Sequence, residues 1–250
     1  MAAGLLAGLL GIGGGVLIVP VLVFAFSHQG LPGEFRMQMA VGTSLATIII
    51  TSASSIRAHH IRKNVRWPVF RQLAPGIVVG AFLGSWLSHL LPSATLQKLF
   101  AGFLLLSAAQ MTLNLKPSSS REMPGPPAVA GAGGAIGIFS AIFGVGGGVL
   151  TVPYLVWHNV EARQAVGTSA ACGLPIALAG AAGFIWNGRN VVGLPEWTTG
   201  YIYWPAFAGI VVMSAALAPV GAALASRLPS ATLKRVFALF LAFAAIRMML

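Results

Sequence analysis

Gly144-Val145-Gly146-Gly147-Gly148-Val149-Leu150-Thr151-Val152-Pro153 is an apolar stretch broken by three consecutive glycines, and Gly11-Ile12-Gly13-Gly14-Gly15-Val16-Leu17-Ile18-Val19-Pro20 is a near copy of it. Within a helix, glycine costs about 1 kcal/mol against alanine and proline about 3. Both stretches are poor helix interior, so how the chain passes through them decides the fold. The second lies in residues 123–160, which contain no Asp, Glu, Lys or Arg. As one helix this span would be roughly 57 Å long at 1.5 Å per residue, well beyond a hydrocarbon core of about 30 Å. A hairpin bent at 144–148 fits.

The setting is a membrane. The 250 residues are 57% hydrophobic and 8% charged, with mean hydropathy +0.86, where soluble domains carry about 25% charged residues. Eight uncharged runs, at about 1–27, 37–56, 72–91, 94–115, 127–158, 164–186, 201–226 and 229–250, are separated by short polar loops. Most match the ~20 residues of a membrane helix. The fold class is an all-α, multi-pass integral membrane protein whose partner is the lipid bilayer. The N-terminal run lacks a basic n-region and recurs inside the chain, so it reads as structure and not as a signal peptide.

The net charge of +11 falls in loops beside apolar runs, where orientation in the bilayer explains it and nucleic acid does not. One cysteine, Cys172, leaves no internal disulfide and no cysteine-based metal site. His59 and His60 share a basic loop spanning 57–71, and His28, His89 and His158 are isolated at segment ends, so no metal or cofactor is expected. Asp is absent, and Glu34, Glu122, Glu161 and Glu196 all fall in predicted loops. Cation and proton carriers place carboxylates inside the membrane. Their absence favours an anionic or neutral substrate.

The chain repeats. Val41-Gly42-Thr43-Ser44 returns as Val166-Gly167-Thr168-Ser169, and Leu91-Pro92-Ser93-Ala94-Thr95-Leu96 returns at 228–233, in the same order as the glycine breaks. Two homologous four-segment halves follow, 1–115 and 127–250, joined by a Ser/Pro linker at 116–126. If all eight segments span, nine Lys/Arg lie inside and six outside. If each broken segment re-enters, the halves are inverted repeats, with eleven inside and four outside. The positive-inside rule prefers the second arrangement. Only ten residues precede Gly11, against seventeen at 127–143, so the first hairpin limb reads as short.

A helix starting at three glycines exposes amides without intrahelical partners and adds the positive end of its dipole. Broken half-helices at matching positions in two repeats point to a transporter's binding site. The candidate substrate-binding residues are therefore Gly13, Gly14, Gly15, Gly146, Gly147 and Gly148. Thr43, Ser44, Thr168 and Ser169, near the starts of the following segments, join them as hydroxyl donors to an oxyanion. Close packing at a Gly-rich crossing and hydroxyls bonded to their own helix carbonyls are the competing structural readings. Gly76, Gly80, Ala81, Gly84 and Ser85 make the third segment suited to such packing.

These residues resemble the sulfite exporter TauE/SafE family. The glycine stretch ending at Pro20, Val41 to Ser44, the basic loop with His60 and Arg62-Lys63-Asn64-Val65, and Gly80-Ala81-Phe82-Leu83-Gly84 match its first half. Glycines 144–148, Pro153 and the final Leu-Pro-Ser-Ala-Thr-Leu match its second. The resemblance implies a permease for sulfite, organosulfonates or related sulfur anions, without cofactor, in the bacterial inner membrane. Two other classes stay open on the residues: an intramembrane serine hydrolase using Ser44 or Ser169, and an uncoupled channel or scaffold.

Overall fold

The computed structural model describes residues 15–113, 122–214 and 230–249, the side chains of the last stretch from 235. Helices α1 (Gly15–His28), α2 (Arg36–Ile61), α3 (Trp67–Leu90) and α4 (Ser93–Thr112) form the first half. Helices α5 (Pro126–Phe143), α6 (Gly148–Trp157), α7 (Ala162–Gly188), α8 (Trp204–Ser214) and α9 (Ser230–Met249) form the second. Strands β1 (Thr198–Thr199) and β2 (Ile202–Tyr203) pair antiparallel just before α8. Helices α2, α3, α5 and α7 are each long and apolar enough to cross a membrane. The all-α membrane fold is as expected, and all four glutamates lie outside the helices.

The basic loop is shorter than the sequence reading had it. Helix α2 continues through Arg57, His59 and His60, and α3 begins at Trp67, which leaves only 62–66 as connection. A run of cations ends an apolar segment without ending its helix, because positive side chains in a last turn are favourable against the helix dipole. Trp67 and Pro68 open α3, where proline's missing N–H costs nothing.

Small residues set the closest packing. A Cβ added to Gly76, Gly80 or Gly84 of α3 would run into the carbonyls of Ala130, Gly134 and Ile138 on α5, and one on Gly133 or Gly137 into those of Leu73 and Ile77. The partners advance together, so α3 and α5 run parallel with backbones in near contact, the close approach that small residues permit in lipid. Helices α2 and α7 run antiparallel, Gly42 facing Phe184, Leu45 facing Gly180 and Ser52 facing Gly173.

These registers orient the bundle. Helix α7 begins beside Arg66, the residue preceding α3, because the Arg66 amide donates to Thr168 Oγ1 at 2.9 Å. Helix α5 starts at that same end, parallel to α3. Residues 126–157 therefore leave the Arg66 end, turn at the glycines and come back to it. Helix α1 runs the other way, reaching the Tyr203 end, where Phe26 meets Tyr203 edge-on at 5.6 Å between ring centroids.

Candidate functional site

The turn between α5 and α6 is built by Gly144. Its left-handed backbone (φ 62°, ψ 30°) suits glycine, which lacks the Cβ that crowds this region. The Gly144 amide donates to Ala141 O at 3.3 Å and the Val145 amide to Ser140 O at 3.0 Å, the paired closure of a Schellman motif. Gly146 and Gly147 then carry the chain into α6, whose first intrahelical bond runs from Thr151 N to Gly147 O at 2.8 Å. The amides of the first turn of α6 point back at the break.

The two breaks meet. A Cβ on Gly15, the first residue of α1, would sit 2.5 Å from Gly144 O and 2.9 Å from both Val145 Cα and Ile48 Cδ1. From this point α1 and α6 diverge toward opposite ends of the bundle. Gly144 itself is pressed on Val19 and Val41, and a Cβ on Gly147 would lie 2.6 Å from Ser169 O. Gly13 and Gly14 lie outside the described residues.

The repeated Gly-Thr-Ser segments enclose this contact, and each hydroxyl has a defined partner. Ser44 Oγ donates to Gly144 O across the halves at 2.8 Å, and Ser169 Oγ donates to Val166 O of its own helix at 2.9 Å. Thr43 Oγ1 accepts from the Tyr203 amide at 3.0 Å, as Thr168 Oγ1 does from that of Arg66. Gly42 faces Tyr201 O, and Gly167 faces Asn64 O. Each Gly-Thr pair thus holds the strand-like residues that lead into a Trp-Pro helix start of the other half, Arg66-Trp67-Pro68 or Tyr203-Trp204-Pro205. The recurrence of Trp-Pro between the other two motifs was the sequence signal for these latches.

Two site residues had a fainter signal. Ser140, in the last turn of α5, and Thr151, in the first turn of α6, are fully buried, and neither hydroxyl has a hydrogen-bond partner among the described residues. The Thr151 oxygen lies 3.3 Å from where a Gly147 side chain would begin. A buried polar group left unsatisfied costs about 1–3 kcal/mol. Thr151 is the one polar replacement between the two decapeptides, standing where the first has Ile18.

At the Tyr203 end, Tyr201 is buried against Phe35, Phe184 and His89. Burial, helped by the Glu34 charge, pushes its phenol up to about 12. The phenol stays protonated and is hydrogen-bonded to His89 Nδ1 at 2.8 Å.

Two predictions follow from the partners. Ser44→Ala strips Gly144 O of a buried donor and should destabilise the fold by about 1–3 kcal/mol; Ser169→Ala, which loses only a bond within one helix, should shift thermal unfolding in detergent little. Thr43→Val should speed amide exchange about tenfold, the worth of one hydrogen bond, at 201–204 and leave 64–67 protected. Thr168→Val should do the reverse, as hydrogen exchange read by mass spectrometry will show.

A bundle of apolar helices with broken segments meeting inside it is the architecture of a secondary transporter. The chain belongs to the sulfite exporter TauE/SafE family, whose model matches residues 1–248. It is 39% identical over 249 residues to a Haemophilus influenzae protein named a probable membrane transporter, covering 99% of this chain and 94% of that one. A Methanocaldococcus jannaschii protein with a similar name is 35% identical over 169 residues, 66% of this chain and 62% of that one. The probable membrane transporter YdhB of Bacillus subtilis is 25% identical over 238 residues, 92% and 89% of the two chains. No solved structure matches. The protein is a membrane transporter and not an enzyme. A hydrolytic serine must pass its proton to a base, whereas Ser44 and Ser169 both donate to backbone carbonyls.

Proposed function

We propose that the protein is a permease for small sulfur oxyanions, sulfite or organosulfonates, bound where the two glycine breaks meet. The observation that carries this reading is the contact of Gly15 with Gly144 and Val145, beside the start of α6 and the unpartnered Thr151 hydroxyl. Backbone amides and the positive end of a helix dipole hold an anion without a charged side chain. Nothing acidic opposes it, since the chain has no Asp and its glutamates lie outside the helices. The sulfur chemistry rests on the family description; the relatives' names add only transport.

In this reading the halves are inverted repeats in the bacterial inner membrane, and the site residues are the glycines with Thr43, Ser44, Thr168 and Ser169. The placement of charge supports the orientation. Arg57, Arg62, Lys63, Arg66, Arg71, Arg163, Lys234 and Arg235 belong to the Arg66 end, and Arg36, Lys98, Arg189 and Arg247 to the other, eight against four among the described residues. The Arg66 end is then cytoplasmic. Arg163 shares a cavity with His59 and Asn64 of the first half, as the inverted arrangement requires. The two Thr latches close the opposite ends, and rocking of one half against the other would open them in turn.

Radiolabelled sulfite uptake into proteoliposomes tests the function. Saturable accumulation driven by an imposed proton or potential gradient is expected. Equilibration alone would make the protein an uncoupled channel, and no uptake of any sulfur anion would remove the substrate assignment.

A further inference from the structure

At the Tyr203 end a second feature lies apart from the glycine breaks. A cavity of about 240 Å³ opens between α1, α2, α4 and α9, lined by Ser27, Arg36, Gln97 and Arg247 with Val23 and Met248 at its apolar side. Its two arginines have no carboxylate partner among the described residues. Arg36 is tied by one arm, Nη2 donating to Leu31 O at 3.0 Å, while its Nε is buried with no hydrogen-bond partner among the described residues. Arg247 stands exposed in the last turn of α9.

The backbone adds to the field. Helices α2 and α4 begin here, with Arg36 the first residue of one and Gln97 in the opening turns of the other, so two positive dipole ends flank the cavity. Helices α1 and α9 end here, but carbonyls at their ends are already engaged: Gln97 Nε2 donates to Met248 O at 2.7 Å, and His28 Nδ1 lies 2.9 Å from Phe24 O. Glu34 is two residues from Arg36, and its charge acts on Tyr201.

We propose that this cavity binds a tetrahedral oxyanion, a phosphate or sulfonate group, between Arg36 and Arg247 at the membrane surface. Arg36 supplies one charge and Arg247 the second, with Ser27 placed to hydrogen-bond a remaining oxygen. The apolar wall of Val23 and Met248, the latter on the same helix as the exposed Phe243, Ile246 and Met249 of α9, would receive the start of an acyl chain. The same chemistry is met by the headgroup of an anionic lipid or by a free oxyanion. Neither depends on what the glycine breaks bind.

The test uses the purified, delipidated full chain in neutral detergent. Thermal stability is titrated with phosphatidylglycerol, phosphatidylcholine, inorganic phosphate and sulfite, for the wild type, Arg247→Gln and Arg36→Gln/Arg247→Gln. Arg247 has no hydrogen-bond partner among the described residues, so Arg247→Gln keeps the test valid if the double variant fails to fold. Arg57→Gln, at the other end, is the control. Stabilisation by phosphatidylglycerol but not phosphatidylcholine, weakened roughly fivefold in apparent Kd for each arginine removed and unchanged in the control, identifies a lipid headgroup site. The same dependence seen with phosphate or sulfite alone identifies a site for the free anion. Stabilisation by phosphatidylglycerol or phosphate that Arg247→Gln leaves undiminished, or none from either, overturns the proposal, while Arg247-independent stabilisation by sulfite belongs to the glycine breaks.

Discussion

Thr151→Val will unfold no more readily than the wild-type chain, yet it will bind sulfite about ten- to a hundredfold more weakly. The two effects have opposite signs because the Thr151 hydroxyl is fully buried and has no partner among the described residues. Valine has nearly the same shape, and replacing an unsatisfied buried hydroxyl with a methyl group removes a cost of about 1–3 kcal/mol. A residue kept only for packing would thus gain stability from the change. If an anion sits on the first turn of α6, the same hydroxyl donates to it, and a hydrogen bond to a charged group contributes about 1.5–3 kcal/mol. Thermal unfolding and sulfite-dependent stabilisation, measured on one preparation, read both signs. Equal affinity in the variant would leave Thr151 a packing residue.

Gly137→Leu and Gly131→Leu, six residues apart on α5, will differ sharply. A Cβ on Gly137 would meet Ala81 N at 2.8 Å and the Gly80 carbonyl carbon at 3.1 Å, whereas one on Gly131 meets nothing within 4 Å. The obstacle at Gly137 is backbone, which cannot swing aside, so α3 and α5 must separate along their parallel contact. Overpacking commonly costs 1–3 kcal/mol. Here about 3 kcal/mol or more is expected, seen as lost folded yield or early unfolding in detergent. Gly131→Leu should match the wild type, since it adds an apolar side chain to an exposed face. Equal behaviour of the two variants would remove the glycine contact as the determinant of this helix pair.

The sequence made these features legible to different degrees, for physical reasons. Helix existence was plain, because an uncharged run of about 20 residues in an otherwise charge-poor chain has few other uses. The turn at 144–148 was legible from length, since 57 Å of helix does not fit the bilayer. The end of α2 was missed because charge marks the edge of the hydrocarbon and not the end of a helix, which extends to Ile61. Strands β1 and β2 were not foreseen; two-residue strands are too short to carry an alternating pattern.

At the site, the glycines and the Gly-Thr-Ser repeats were visible as motifs, but their partners were not. Ser44 reaches a carbonyl 100 residues away, and Thr43 and Thr168 receive amides more than 100 residues distant. Such pairings depend on which helices lie side by side, a property of the folded bundle. Thr151 stood in plain sight as the polar difference between two near-identical decapeptides. Its hydroxyl breaks the repeat, so the shared pattern of the two halves carries no sign of it.

An anion bound where the glycine breaks meet can be located directly. Selenite, a heavier analogue of sulfite, makes that position visible by anomalous X-ray scattering from crystals of the purified protein. A selenium peak is expected within hydrogen-bonding reach of the Gly146 to Gly148 amides and Thr151 Oγ1, lost in Gly147→Leu crystals. Selenium bound only elsewhere, with the start of α6 empty at saturating selenite, would contradict that binding position.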